Sequence, residues 1–212
     1  MMQATKRFSL KTLGAVALAA SLLAACGSTP PTQFYTLAMP AEGAASARSA
    51  SQGPQAFIEV MPVAVPERLA RPQLVVRSDA TRLDVLEQDR WSSPFNNELR
   101  DALSAGVAAR LGAIDVSRGA RPADQPSYRI NVELRDFDAA RNGRVQASFG
   151  WTITRSDDRS SAACRLTVVE RVAGGSNADV VAATQRAVGQ AVQAIADNVR
   201  ALQARQGGQC AS

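Results

Sequence analysis

The residues able to do chemistry in this chain are few, and their types exclude most catalysis. The 212-residue sequence contains no histidine, and both lysines, Lys6 and Lys11, stand close to its start. Beyond them there can be no Ser-His-Asp or Cys-His activation of a nucleophile, no Ser-Lys dyad, no lysine Schiff base and no P-loop lysine. A zinc or copper site would lack its commonest ligand as well. What remains is carboxylate chemistry, for which Glu133, Asp136, Asp138, Asp157 and Asp158 are the candidates. A glycosidase-type mechanism needs two carboxyls held at a set separation, and nothing in the spacing of these acids selects a pair. Their ordinary role is that of solvated strand and turn residues, so the expectation is a protein that is not an enzyme and carries no cofactor or metal.

The cysteines point elsewhere. Leu23-Ala24-Ala25-Cys26 resembles the lipobox of bacterial lipoproteins, where the signal peptide is cut and the new N-terminal cysteine is acylated. Lys6, Arg7 and Lys11 supply a positive start, and the apolar run from Leu13 to Ala25 is broken only by Ser21. That run falls short of the roughly 20 residues a bilayer span requires, but has the length of a signal-peptide core. The competing readings are an ordinary signal peptide with an incidental Cys26 and a membrane-spanning helix. In bacterial lipoproteins an aspartate after the cysteine favours retention in the inner membrane; Gly27 stands there instead, which implies the outer membrane. Several acyl chains, at about 0.8 kcal/mol per buried methylene, suffice for stable anchoring.

On this reading residues 1–25 are a signal peptide, 26–33 a lipidated tether, 34–206 a single periplasmic domain and 207–212 a tail. Removing residues 1–25 takes away three positive charges and no negative one, so the formal charge falls from +5 to +2. The remaining arginines are scattered among acids, without the basic stripe and stacking aromatics of a nucleic-acid surface; no nucleic-acid partner is expected.

The elements that would position any site read in order. Phe34–Leu37 is a first strand, residues 38–55 an Ala/Ser/Gly connector, and Ala56–Val65 a second strand limited by Pro62 and Pro66. Residues 71–77 and 82–86 flank the polar Ser78-Asp79-Ala80-Thr81 and read as a hairpin. Ser93-Pro94 offers an N-cap and first-turn proline to a helix whose apolar face is Phe95, Leu99, Ala102, Leu103, Val107 and Leu111, with Gly112 as its C-cap. Tyr128, Ile130, Val132 and Leu134 alternate with polar residues, as do Val145, Ala147, Phe149, Trp151 and Ile153, and Asn142-Gly143 between the runs favours an antiparallel turn. A run from Ala162 to Glu170 puts Cys164, Leu166 and Val168 on one face, and Ser176-Asn177 with Asp179 opens a helix reaching about Arg205. The expected fold is α+β, an antiparallel-rich sheet with two helices packed on one face.

In this order the motifs resemble those of the ABC-type transport auxiliary lipoprotein family. The carrying residues are Phe34-Tyr35-Thr36-Leu37, Ile58 through Val63 to Pro66, Leu69, Arg71-Pro72-Gln73-Leu74-Val75-Val76-Arg77, Arg90-Trp91 before a helix, Tyr128 through Val132 to Phe137, and Phe149-Gly150-Trp151. The departures are Ser92-Ser93-Pro94 after the tryptophan and the cysteines at 164 and 210. The resemblance implies an outer-membrane-anchored subunit of a system moving lipid between two membranes. It also implies docking to an MCE-domain (PqiB-like) periplasmic protein, no bond chemistry, and a homo-oligomeric ring in some members.

The hairpin from Arg71 to Leu86 carries apolar residues at odd and even positions, more than one core can hide. Arg71, Gln73, Val75, Arg77 and Leu86 are therefore candidates for a partner-binding arm, against the alternative of a plain covered hairpin. Trp91 and Trp151 read as core anchors. Cys164 lies on an apolar strand face and Cys210 follows the helix expected to cover that face. In an oxidising periplasm they are a candidate disulfide; a buried thiol with a frayed tail is the alternative. A lipid-binding carrier is the second function class, and it would need an apolar cavity. A carboxylate enzyme is the third.

Overall fold

The computed structural model describes residues 30–38, 56–117, 119, 125–206 and 210. The signal segment with Cys26, the connector beyond Ala38 and most of the C-terminal tail lie outside the described residues. Among the described residues eight strands and two α-helices follow in order: β1 Gln33–Tyr35, β2 Phe57–Val60, β3 Gln73–Arg77, β4 Leu83–Trp91, α1 Phe95–Leu111, β5 Ile114–Asp115, β6 Ser127–Ala139, β7 Arg144–Arg155, β8 Ser161–Arg171 and α2 Asn177–Gln203. The fold is mixed α+β, mostly antiparallel, with helices on strands. It differs from the expectation in having two sheets, one of five strands ordered β5-β2-β6-β7-β8 and one of three ordered β1-β4-β3.

The long β6-β7-β8 meander is antiparallel, and its alternating residues do what their period demands. Ile130, Val132, Leu134, Val145, Phe149, Trp151, Ile153 and Val168 are buried under α2, while the residues between them face water. β2 joins this sheet by parallel pairing to both β5 and β6, and ends at Val60, short of the expected Val65, before Pro62. In β6 the register shifts between Leu134 and Asp136. Arg135 is the extra residue there, and the inward set changes from even numbers to Phe137 and Ala139.

The second helix starts as its sequence indicates. The Ser176 side chain accepts from the Asp179 backbone and the Asp179 carboxylate accepts from Ser176, closing a capping box. α1 departs from expectation at its start: Pro94, not Ser93, occupies the N-cap position, and no side chain caps it. The Ser93 hydroxyl is drawn instead to Glu98, and the Phe95 N–H finds the Arg71 carbonyl. Gly112 ends α1 in the left-handed conformation, φ 62°. The two helices approach closely at Gly106, where an added Cβ would lie 2.8 Å from a Val192 methyl. Leu74 and Val76 of β3 and Trp91 of β4 join the same buried cluster as the large sheet, so both sheets cover one core.

Candidate functional site

The outer side of the three-stranded sheet is the part of the domain where apolar side chains meet water in a row. Directly paired residues share a face. The pairs Val75–Val85 and Arg77–Leu83 between β3 and β4, with Gln73–Arg90, and Phe34–Arg90 between β1 and β4, assemble one surface. On it Phe34 is 66% exposed, Val85 39% and Leu83 36%. Beside the apolar row Glu87 receives the Gln73 amide at 3.2 Å, and its carbonyl receives Arg90 Nε at 2.8 Å. The opposite side of the sheet buries Leu74, Val76 and Trp91.

Of the residues expected on the hairpin arm, Gln73, Val75 and Arg77 share this outer surface, and Arg71 is exposed just before β3. Leu86 is not with them: it pairs with buried Leu74 and packs against the core. Arg77 lies on the surface but is not a free recognition group. Its Nε binds Asp138 Oδ1 at 2.6 Å, and its Nη1 donates to the carbonyls of Asp79 and Ala80. Arg77 thus fastens the hairpin turn to β6, and Leu86 fastens β4 to the interior. The reading from sequence missed Phe34, Leu83 and Val85. The period-2 spacing of Leu83 and Val85 was a signal for the latter two once the hairpin register was known; Phe34 carried none.

A second arrangement holds the beginning of the domain. Glu98, in the first turn of α1 and 8% exposed, accepts from the Leu37 N–H and the Thr36 hydroxyl at 2.9 Å each, from Ser93 at 3.2 Å and from the Ser92 hydroxyl. Burial pushes its carboxyl up, but the hydrogen bonds from Ser92, the Leu37 N–H, Thr36 and Ser93 outweigh that and hold it below the usual carboxylate range. A charged group buried with four donors is satisfied rather than reactive. Glu98 ties the segment after β1 to the β4–α1 junction.

The acids considered for catalysis are likewise engaged by arginines. Glu133 pairs with Arg135, Asp136 with Arg68, Asp138 with Arg77, and Asp157 and Asp158 with Arg155. Among the described residues no cluster of three or more His, Cys, Asp or Glu side chains could hold a metal ion. No helix among them is long and apolar enough to cross a membrane. Cys164 and Cys210 are joined by a disulfide, with Cα atoms 5.5 Å apart, which fastens the end of the chain beyond α2 to β8. Trp151, on the strand beside Cys164, is buried and donates its indole N–H to Asn198 of α2 at 2.9 Å. Trp91 is buried too and stacks at a tilt on Phe95.

Comparison with known proteins bears on the family and the fold. Residues 35–196 match the family described as the ABC-type transport auxiliary lipoprotein component. The chain is 28% identical over 139 residues to the intermembrane transport lipoprotein PqiC of Escherichia coli K12, covering 65% of this chain and 72% of that one; the Shigella flexneri protein of the same name matches equally. Among solved structures, an uncharacterized protein superimposes with TM-score 0.61 at 19% identity, covering 80% of this chain and 99% of that one. A Xanthomonas campestris protein does so with TM-score 0.56 at 18% identity, covering 74% and 92%. These structural likenesses speak for the fold. A family match across most of the chain is decisive for membership, and the chain belongs to the ABC-type transport auxiliary lipoprotein family.

Proposed function

We propose that this protein is an outer-membrane-anchored subunit of an intermembrane, MCE-type lipid transport system, held by lipid on Cys26. Its work is to dock the periplasmic MCE-domain component to that membrane. The observation that carries the docking reading is the exposure of Phe34, Leu83 and Val85 on the outer side of the three-stranded sheet. An exposed apolar strip rimmed by polar residues, here Gln73, Glu87 and Arg90, is the composition of a protein contact. The family membership supplies the context, since its members are auxiliary components of transport systems.

The alternative, a lipid carrier, requires an apolar cavity of several hundred Å3. Among the described residues the enclosed apolar hollow between Leu74, Trp91, Phe95 and Phe137 measures about 10 Å3, the room of a single water, and the wide depression of about 880 Å3 on the outer face of the large sheet is open and bordered by Asn131, Glu133, Arg135 and Arg165. That supports an adaptor over a carrier.

The test is affinity purification of the acylated protein from cross-linked envelopes, with Phe34→Asp and Val85→Asp beside the wild type. These outward positions can take a charge without entering the core, unlike Leu86, and without releasing an ion pair, unlike Arg77. Wild type is expected to bring down an MCE-domain protein and both variants to lose at least tenfold of it. Recovery that is equal in all three proteins would remove the sheet surface from the contact.

A further inference from the structure

The geometry points to the end of the domain that holds the β6–β7 turn as a membrane-facing surface, with Arg144 and Arg171 binding lipid phosphates. The inference rests on the proposal that Cys26 carries the anchor, and adds which surface the anchor turns toward the bilayer.

The first observation is a pair that the fold does not need. Arg144 and Arg171 stand directly opposite each other on β7 and β8, exposed and on the same face. Like charges in that position repel and destabilise a sheet. Neither has a carboxylate partner among the described residues, and Arg141, in the adjoining turn, donates only to the Asn177 side chain, at 2.7 Å. The acids nearby are otherwise engaged. Glu170 takes Arg186 at 2.8 Å and also Gln190, and Asp179 is closed into the capping box with Ser176. Between the two arginines lies an open depression of about 550 Å3, lined also by Asn142, Val169 and Val172. Val169 is 56% exposed. Unneutralised guanidinium groups beside an exposed aliphatic side chain complement a layer of phosphates over hydrocarbon.

The second observation is direction. β1 runs parallel to β4, with Gln33 beside Asp89 and Thr32 bonded to Gln88. Followed backwards, the chain therefore heads along β4 toward Leu83 and the hairpin turn. That turn lies at the same end as the β6–β7 turn, since Arg77 bridges to Ala140. Thr32 stands six positions after Cys26, a reach of at most about 20 Å. A fully extended leash of that length matches the stretch of β4 from Gln88 to Leu83, so an anchor that continues the direction of β1 arrives at the end bearing the arginines.

The test reconstitutes the full-length acylated protein into vesicles of phosphatidylcholine alone or with added phosphatidylglycerol, and follows amide hydrogen exchange over residues 140–145 and 78–82. Slowed exchange at both turns in the anionic vesicles, relieved by molar salt, is the expected result. Each arginine at an anionic leaflet is worth about fivefold in surface affinity. Replacing both, as Arg144→Gln with Arg171→Gln, is therefore expected to lower the protection by an order of magnitude. Because it relieves a repulsive pair, the thermal midpoint should stay level or rise, an outcome a structural role for these arginines would not give. Protein that enters the vesicles with these turns unprotected, or with protection that survives the double replacement, overturns the inference alone. Protein that fails to enter the vesicles overturns the anchored reading and the inference with it.

Discussion

The outer faces of the two sheets are made differently, though both look away from the same core. On the five-stranded sheet the wet side carries Arg129 against Glu59 at 3.1 Å, Arg135 against Glu133 at 3.4 Å, and Ser148 hydrogen-bonded to Thr167 at 3.0 Å. Polar side chains answer one another within and across strands there over most of the surface, away from the end that bears Arg144 and Arg171. On the three-stranded sheet the corresponding side carries Phe34, Leu83 and Val85, whose apolar area is left exposed by the described residues. Burial drives folding on the inner sides of both sheets; the smaller one leaves Phe34, Leu83 and Val85 exposed outside, the larger one Ile114 and Val169 on its opposite edge strands. The difference teaches where to look for a partner: at the sheet whose two faces are both apolar.

The comparison is most easily broken by truncating one residue on each side of it. Phe149, 2% exposed beneath the large sheet, becomes a cavity in Phe149→Ala and should cost about 3–5 kcal/mol in urea unfolding. Val85→Ala on the outer side of the small sheet should stay within about 0.5 kcal/mol. A large loss at Val85 would mean that this face is buried in the isolated protein and is no docking surface.

A smaller effect is expected at the edge of the large sheet. The bridge between Cys164 and Cys210 spans 46 residues, and removing it with Cys210→Ser should cost about 2–4 kcal/mol through the freedom returned to the unfolded chain. The count of free thiols in denatured, unreduced protein checks the bridge itself, with none expected from either cysteine. Partner recovery should be unchanged in this variant, because the bridge lies on β8 of the large sheet and not on the three-stranded one.

The smallest effect sharpens the comparison at the place where β1 is tied down. Glu98 has a folded value below its ordinary one of 4.5, so on acidification the unfolded chain takes up the proton first. Its contribution is therefore fully present above about pH 4.5 and is lost as the pH falls through the folded value. In Glu98→Gln that part of the pH dependence should vanish, with a loss of about 1–2 kcal/mol at neutral pH. Urea midpoints of the two proteins, converging on acidification, are the measurement. Midpoints that stay parallel would show that Glu98 does not hold Thr36 and Leu37 in solution.

Much of this architecture was legible from residue order. Strict alternation from Tyr128 to Leu134 and from Val145 to Ile153 can bury one face only as strands, and Ser176 with Asp179 could close a capping box without any distant partner. The local signals at Ser93-Pro94 misled, because the hydroxyl was claimed by Glu98, two of whose other donors, Thr36 and Leu37, come from some sixty positions earlier.

By itself the sequence determined the absence of histidine, the helix and strand periods, and the motifs by which the family is recognised. Only tertiary structure decided which side of the hairpin faces out. Between Gln73 and Leu74 the β3–β4 register jumps, so that Arg90 and then Leu86 are their partners, and the parity of inward residues on β4 changes from Leu86 to Trp91. Such a bulge inserts residues without any mark in the hydrophobic pattern. Where it falls depends on how two strands fit one shared core, which no local stretch of chain contains.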